Sequence, residues 1–398
     1  MQDCHPGART AAVIVVGAGI VGAWTAFWLS RAGFQPVVIE RLGRPALATT
    51  GASAHSVRAQ FADPENIRMM RESIDLYRSF AEILGLNDGA ADISFTRGGY
   101  LFASTDESAP AAIAARVAFQ QSQGLDDVEA LSPDEIVHRF PWMDPAVTAA
   151  SYRAGDGWID GIRATELLIV ASGAAVHYDT EALQLVVRSG RVQGVRTRHE
   201  TITGDAVVLA AGPFSVTLTE EPLPLEMVRR HRLILDPRPE VPAGAPMTVD
   251  ADTGAHWRPH HGGALLAWAR PEAPGPPLWP VASDPGFPAM VLRDRDGVGR
   301  LAPFWRDLAP KIAPAELHLN AAQYAITPDH MPIIGPASET GGLWIHTGYS
   351  GHGIMGSPVG GRLLADLMTG KEALADNPFC LERFTGERTP VDHERMVL

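Results

Sequence analysis

The sequence predicts an α/β fold of mixed α+β content divided between two domains, and three stretches carry that expectation. Residues 10–41 read TAAVIVVGAGIVGAWTAFWLSRAGFQPVVIER, a short β-branched run, a glycine turn, a helix and a second strand in that order. Residues 206–215, AVVLAAGPFS, give another buried strand that ends in a glycine. Near the C-terminus, GYSGHGIMGSP is a glycine-rich turn that feeds a helix.

In the first stretch Gly17, Gly19 and Gly22 fall in the spacing G-x-G-x-x-G, with Ile20 and Val21 opening the helix. The first glycine permits the turn, the second lets a pyrophosphate approach the backbone, and the third lets helix and strand pack closely. Glu40 ends the second strand, eighteen positions after Gly22, where a carboxylate accepts hydrogen bonds from a ribose. Together these residues read as a dinucleotide site. Residues 11–29 carry no charge, so hydropathy alone would offer a membrane span, but the spaced glycines and the acidic strand end argue against it. The leader MQDCHPGART does not read as a secretory signal.

Asp63 as N-cap, Pro64 at the first helical position and Gly85 at the end bound one helix, with Ile67, Met70, Ile74, Tyr77, Phe80 and Leu84 as its apolar stripe. A strand pair at 93–95 and 99–103 follows, then an alanine-rich helix and a short helix opened by the capping box of Ser132 and Glu135. DGWIDGIRATELLIVASGAAVHY reads as turn, helix and strand, and residues 183–187 and 192–195 as a hairpin around Gly190. Residues 223–320 read as interrupted strands, with a proline-rich loop at 271–288. In the C-terminal stretch Gly348, Gly351 and Gly353 surround His352, and Ser357 with Pro358 is expected to start a helix that runs to Gly370. A helix N-terminus there is a second anion-stabilising site.

With 398 residues, 45% hydrophobic and 20% charged, the chain can bury a large core. A net charge of −13 disfavours nucleic acid and anionic membrane as partners. Cys4 and Cys380 are the only thiols, which fits a reducing cytoplasm and supports no disulfide framework. The fourteen histidines lack ligand spacing, and no metal is expected.

Taken together, GAGIVG with Glu40, the SVRAQF segment, VVLAAGPFS, and TPDHMPIIGP followed by GYSGHGIMGSP resemble the FAD-dependent amine and amino acid oxidoreductases of the D-amino acid oxidase family. The last pair resembles the sarcosine oxidase and dimethylglycine dehydrogenase branch. The resemblance implies a Rossmann-like FAD-binding domain from residues 1–88, 150–218 and 322–398. A substrate domain of mixed, largely antiparallel sheet would take residues 89–149 and 219–321. It implies FAD contacts at Gly17, Gly19, Ile20, Val21, Gly22, Glu40, Arg41, Ser53, His55, Ala182, Ala211, Gly212, Gly348, Gly351, His352, Gly353 and Ile354. The C-terminal helix would face the flavin edge where negative charge gathers on reduction.

For the substrate the resemblance implies Arg58 as carboxylate partner, a role that suits a planar guanidinium. Met355 stands where that branch carries a lysine as second carboxylate partner. His256 matches an active-site tyrosine, and a neutral imidazole there could accept a proton; an exposed hairpin tip would equally collect His256, His260 and His261. Tyr324 is expected to line the flavin. Leu265 aligns with the lysine that assists oxygen activation, and Ala322 with the cysteine that tethers FAD. His55 aligns with the histidine that carries covalent flavin in dimethylglycine dehydrogenases, although noncovalent FAD is the reading adopted. The implied reaction is oxidation of the C–N bond of a small amine or amino acid, with oxygen or another carrier as acceptor. Two readings stand beside it: an NAD(P)-dependent dehydrogenase, and a flavin-bearing binding or assembly protein with little turnover.

Overall fold

The computed structural model describes residues 12–87 and 89–384. The first strand, Ala12–Val16, lies centrally in a six-stranded sheet, paired in parallel with Gln35–Ile39 on one side and Ala206–Leu209 on the other. Ala175–His177 and Leu343–Thr347 extend the parallel sheet, and Ile333–Pro336 closes one edge antiparallel. All of Val13, Ile14 and Val15 is buried, as a β-branched run flanked on both faces requires. The uncharged window 11–29 therefore divides into a strand and the helix Ile20–Arg31; among the described residues no helix is long and apolar enough to cross a membrane. The leader and Cys4 lie outside the described residues.

Helix Ile20–Arg31 packs against Gly161–Ser172 and the C-terminal helix Gly353–Thr369. That last helix starts at Gly353, not at Ser357 as expected, and carries Pro358 inside it. Proline lacks the N–H that would close on the carbonyl of Ile354. The hydroxyl of Tyr77 donates to that carbonyl instead, at 2.7 Å, while Trp24 Nε1 donates to the Tyr77 oxygen at 3.3 Å. Tyr77→Phe would orphan both buried groups, and we expect it to lower stability by about 2 kcal/mol, read as a fall in the urea midpoint.

The second layer is an eight-stranded sheet in the order Leu317–Ile326, Glu226–Leu235, Gly263–Trp268, Ala255–His260, Met247–Asp250, Tyr100–Ser104, Ala149–Arg153, Val128–Leu131. It is antiparallel except where Met247–Asp250 runs parallel to Tyr100–Ser104. Pairing runs the whole length of Glu226–Leu235 against Leu317–Ile326, so the stretch expected as interrupted strands contains a continuous ten-residue one. Divisions drawn at 149/150 and 321/322 run through strands of this sheet.

Other departures have local causes. Residues 93–95 form no strand: Ser94 is in the left-handed region (φ 51°) and Thr96 makes a single bridge to Trp158. The helix from Pro64 breaks at Ser79, leaving Pro64–Arg78 and Phe80–Leu84, with Gly85 in the left-handed cap as expected. Asp63 accepts from the N–H groups of Glu65 and Asn66. The hairpin at Gly190 gains a third strand, Thr201–Thr203.

Candidate active site

The ends of the parallel strands and the inner face of the eight-stranded sheet enclose one long cavity. Its floor begins at the glycine turn. Gly17 has φ 108°, and a Cβ there would lie 2.6 Å from the carbonyl oxygen of Ala210, in the loop after the neighbouring strand. A Cβ on Gly22 would meet the Gly17 carbonyl, so the third glycine serves helix–strand contact and does not line the cavity. Thr50 Oγ1 accepts from the N–H of Ile20 at 3.1 Å, a link across thirty residues that sequence reading missed.

Glu40 reaches under this turn. Its carboxylate accepts from the N–H of Ala18 at 2.7 Å and of Leu42 at 2.9 Å, while burial raises its pKa against the pull of those two donors. Arg41 lies over the Phe214 ring, 3.7 Å from its centroid, with Trp279 at 5.7 Å. Both aromatic residues line the cavity and neither was singled out in the sequence.

At the other end the turn at 348–353 is held from below. Thr25 donates its hydroxyl proton to the Val21 carbonyl at 2.8 Å and so accepts from His346 Nδ1 at 2.7 Å. His346 Nε2 then accepts from the Tyr349 hydroxyl at 2.6 Å. Gly351, at φ 93°, packs against the Tyr324 ring, where a Cβ would enter the ring edge. Helix Gly353–Thr369 begins here with no acidic residue in its first turn, and Gly353, Ile354 and Met355 line the cavity. Its positive end is thus directed at the enclosed space.

Arg58, fully buried, lies 3.8 Å from the centroid of Phe61 and donates to the Gln60 carbonyl. Its Nη2 approaches His352 Nε2 at 3.5 Å. Guanidinium only donates, so Nε2 of His352 is the acceptor, and burial with Arg58 beside it holds the imidazole neutral. The ring proton is then on Nδ1, which is buried without a protein partner among the described residues.

The sequence profile of the family described as DAO, FAD dependent oxidoreductase, matches residues 12–367. The chain belongs to this family. "FAD-dependent oxidoreductase domain-containing protein 1" of Xenopus laevis is 26% identical over 94% of this chain and 82% of that protein. Glycine oxidase of Pseudomonas aeruginosa is 27% identical over 92% of this chain and 96% of its own length. The crystal structure of L-proline dehydrogenase from P. horikoshii superposes with a TM-score of 0.77 at 26% identity, covering 94% of this chain and 98% of that one.

This FAD-dependent oxidoreductase is an enzyme with FAD as its cofactor, so the NAD(P) reading falls away. The residues present fit the group. Of the positions expected to touch FAD, all except Gly22 line the cavity. The buried Nδ1–H of His352 is a donor with no acceptor among the described residues, which a bound ligand could supply. At His55 both ring nitrogens are engaged, since Nε2 donates to the Thr50 carbonyl at 2.9 Å and Nδ1 accepts from Gly161 N–H at 3.4 Å. Ala322, at the other tether position, has no nucleophile with which to attach the cofactor.

Arg58, His256, Tyr324, His352 and Met355, the expected catalytic group, all line the same cavity. The histidines divide: His256 is buried in the strand Ala255–His260, whereas His261 sits at the hairpin tip with φ 48°, and neither His260 nor His261 lines the cavity. Leu265 is fully buried and does not line it. His256 Nδ1 donates to the Gly254 carbonyl at 2.9 Å, leaving Nε2 as an acceptor.

Burial, with Arg230 and Arg58 adding to it, lowers the His256 pKa to about 4. A lowered pKa keeps the neutral ring dominant at every pH above that value. We therefore expect no histidine limb between about pH 5.5 and 7.5 in kcat/KM, the rise with pH following the substrate ammonium instead. An inflection in that window that His256→Asn removes would contradict this.

Proposed function

We propose that this FAD-dependent oxidoreductase oxidises the C–N bond of a small amine or amino acid. The observation that carries the reading is the convergence of Arg58, His256, Tyr324 and His352 on the cavity that fits FAD. When bound, FAD supplies the acceptor for a hydride from the carbon next to nitrogen. The chain's own residues orient the substrate and protect the reaction. The Arg58 guanidinium holds the carboxylate by charge-assisted hydrogen bonds, and neutral His256 offers Nε2 to the amine, favouring its unprotonated form. Tyr324 and Tyr100 wall the space with apolar ring faces. The first turn of Gly353–Thr369 and the His352 Nδ1–H stabilise negative charge that develops beside them. Water then hydrolyses the released imine to a carbonyl compound and an amine or ammonia.

The names glycine oxidase and L-proline dehydrogenase among the relatives support an amino acid substrate. The segments TPDHMPIIGP and GYSGHGIMGSP support a position near the sarcosine oxidase and dimethylglycine dehydrogenase branch, with Met355 leaving the carboxylate grip different from that branch. Leu265, buried away from the cavity where that branch carries a lysine, favours a carrier other than oxygen as acceptor. The scarcity of thiols supports a cytoplasmic setting. Product analysis tests the reaction: carbonyl and amine should appear in equal amounts from a turned-over amino acid, and their absence while substrate is consumed would contradict C–N oxidation.

A further inference from the structure

The inner face of the eight-stranded sheet carries more positive charge than this reaction uses. Strand pairing sets Arg232 opposite Ala267 and Ala267 opposite His256, so Arg232 and His256 share a row. Two residues back along the same strand, Arg230 lies opposite Ala322, and Val228 lies opposite Tyr324. Alternate residues of a strand share a face, which puts Arg230, Arg232, His256 and Tyr324 on one surface. Further along the strand and on its other face, Leu233 and Leu235 enter the core with Trp257 and Leu266.

Arg230 and Arg232 line a side pocket with Ser53, Ala54, Ala322 and Tyr324, and these last four also line the FAD cavity. Neither arginine has a carboxylate partner among the described residues. Arg230 Nη1 donates to the Arg229 carbonyl at 3.1 Å, and Arg232 Nη1 to the Ser53 carbonyl at 2.7 Å. The nearby acid Glu272 is taken by Arg229, on the other face of the strand, at 2.7 Å. The Nε atoms of both arginines are buried without a hydrogen-bond partner. Behind them Arg258, almost fully buried, donates to the Ala54 carbonyl at 2.9 Å and lies over the Trp158 ring.

Taking guanidinium groups out of water beside one another without an ion-pair partner is costly, and burial lowers the pKa of both, outweighing for Arg230 the pull of Tyr324 and Glu272. Such an arrangement is accounted for when a ligand brings the negative charge. The FAD diphosphate would be held by the glycine turn, which the side pocket does not reach. Arg58, the carboxylate partner of the proposed reaction, and Arg230 both depress the proton affinity of His256, so two cationic centres bear on one imidazole.

We propose that the side pocket beneath Arg230 and Arg232 is a second anion subsite, and that the substrate is an amino acid bearing a further carboxylate besides the one held at Arg58. This rests on the amine-oxidation reading above and narrows its substrate class to dicarboxylic amino acids, in which a planar carboxylate meets the fork of each guanidinium.

The test uses holoenzyme and acids that cannot be oxidised, followed by perturbation of the flavin absorption spectrum at constant ionic strength. Succinate and glutarate are expected to bind roughly 10- to 100-fold more tightly than propionate and butyrate, the range of one added charged hydrogen-bonded contact. Arg230→Gln and Arg232→Gln are expected to collapse that ratio toward unity, and Arg230→Lys to retain part of it. Dicarboxylates that bind no better than monocarboxylates would overturn the proposal, as would variants that weaken both classes equally. The wild-type ratio decides the matter even where a variant fails to fold. Because no acid in this set is oxidised, an enzyme that turned over no amine would leave the ratio readable; conversely, monocarboxylic amino acids that bleach the flavin alongside a ratio of one would sink the subsite and spare the proposed function.

Discussion

Gly17→Val is expected to yield a folded chain that purifies without FAD. At φ 108° the backbone is in a region that a β-branched residue does not adopt, and even a bare Cβ would come within 2.6 Å of the Ala210 oxygen. Relief requires the turn to move away from Ala210–Gly212, which carries the adjoining wall of the cavity and the start of the helix at Ile20 with it. Backbone strain and overpacking each cost about 1–3 kcal/mol, so FAD affinity should fall by roughly 100-fold or more. The ratio of flavin to protein after gel filtration, with circular dichroism as the check on folding, reads this directly. A full flavin complement would contradict the role given to the turn.

Arg58→Gln is expected to reduce kcat/KM for amino acid substrates by roughly 10²- to 10³-fold, the cost of removing one member of a buried charge pair. Arg58→Lys should recover a minor part, because charge returns without the planar fork that engages both carboxylate oxygens. The loss should appear mainly for substrates with a carboxylate and much less for a plain amine of the same size. Steady-state kinetics on such a matched pair separates the two, and equal losses on both would remove Arg58 from carboxylate recognition.

The cofactor end of the site was legible because its chemistry is local in sequence. Gly17, Gly19 and Glu40 fall within one strand–helix–strand unit, whose spacing carried the expectation of a ribose contact at Glu40; the bonds its carboxylate accepts from the N–H groups of Ala18 and Leu42 were not read from that spacing. The turn at 348–353 was legible for the same reason. The start of its helix was not, because Gly353 has His352 at the N-cap with no side-chain hydrogen bond, whereas Ser357–Pro358 carries the usual starting signal. Only Tyr77, far away in the chain, makes an internal Pro358 acceptable by satisfying the Ile354 carbonyl.

The substrate end was harder, because it is assembled from strands ninety residues apart. EMVRRHRLIL lies in the stretch expected as interrupted strands, and its arginines were not singled out. The run of basic residues at 229–232 shows no period-two alternation, so nothing local told that Arg230 and Arg232 share one face while Leu233 and Leu235 enter the core on the other. What sequence could not supply is the partner strand Leu317–Ile326, which brings Tyr324 beside them and makes the charged face an interior one. Phe214 and Trp279 were missed for a similar reason, since their site role depends on Arg41 lying between two loops.

The most direct test of the central claim is an anaerobic visible-absorption titration of the purified flavoprotein with primary, N-methyl and dicarboxylic amino acids and cyclic amines, followed by admission of air. At least one amino acid is expected to bleach the flavin, with colour returning slowly in air. A flavin that no amine or amino acid in the panel reduces would contradict C–N oxidation as the activity of this enzyme.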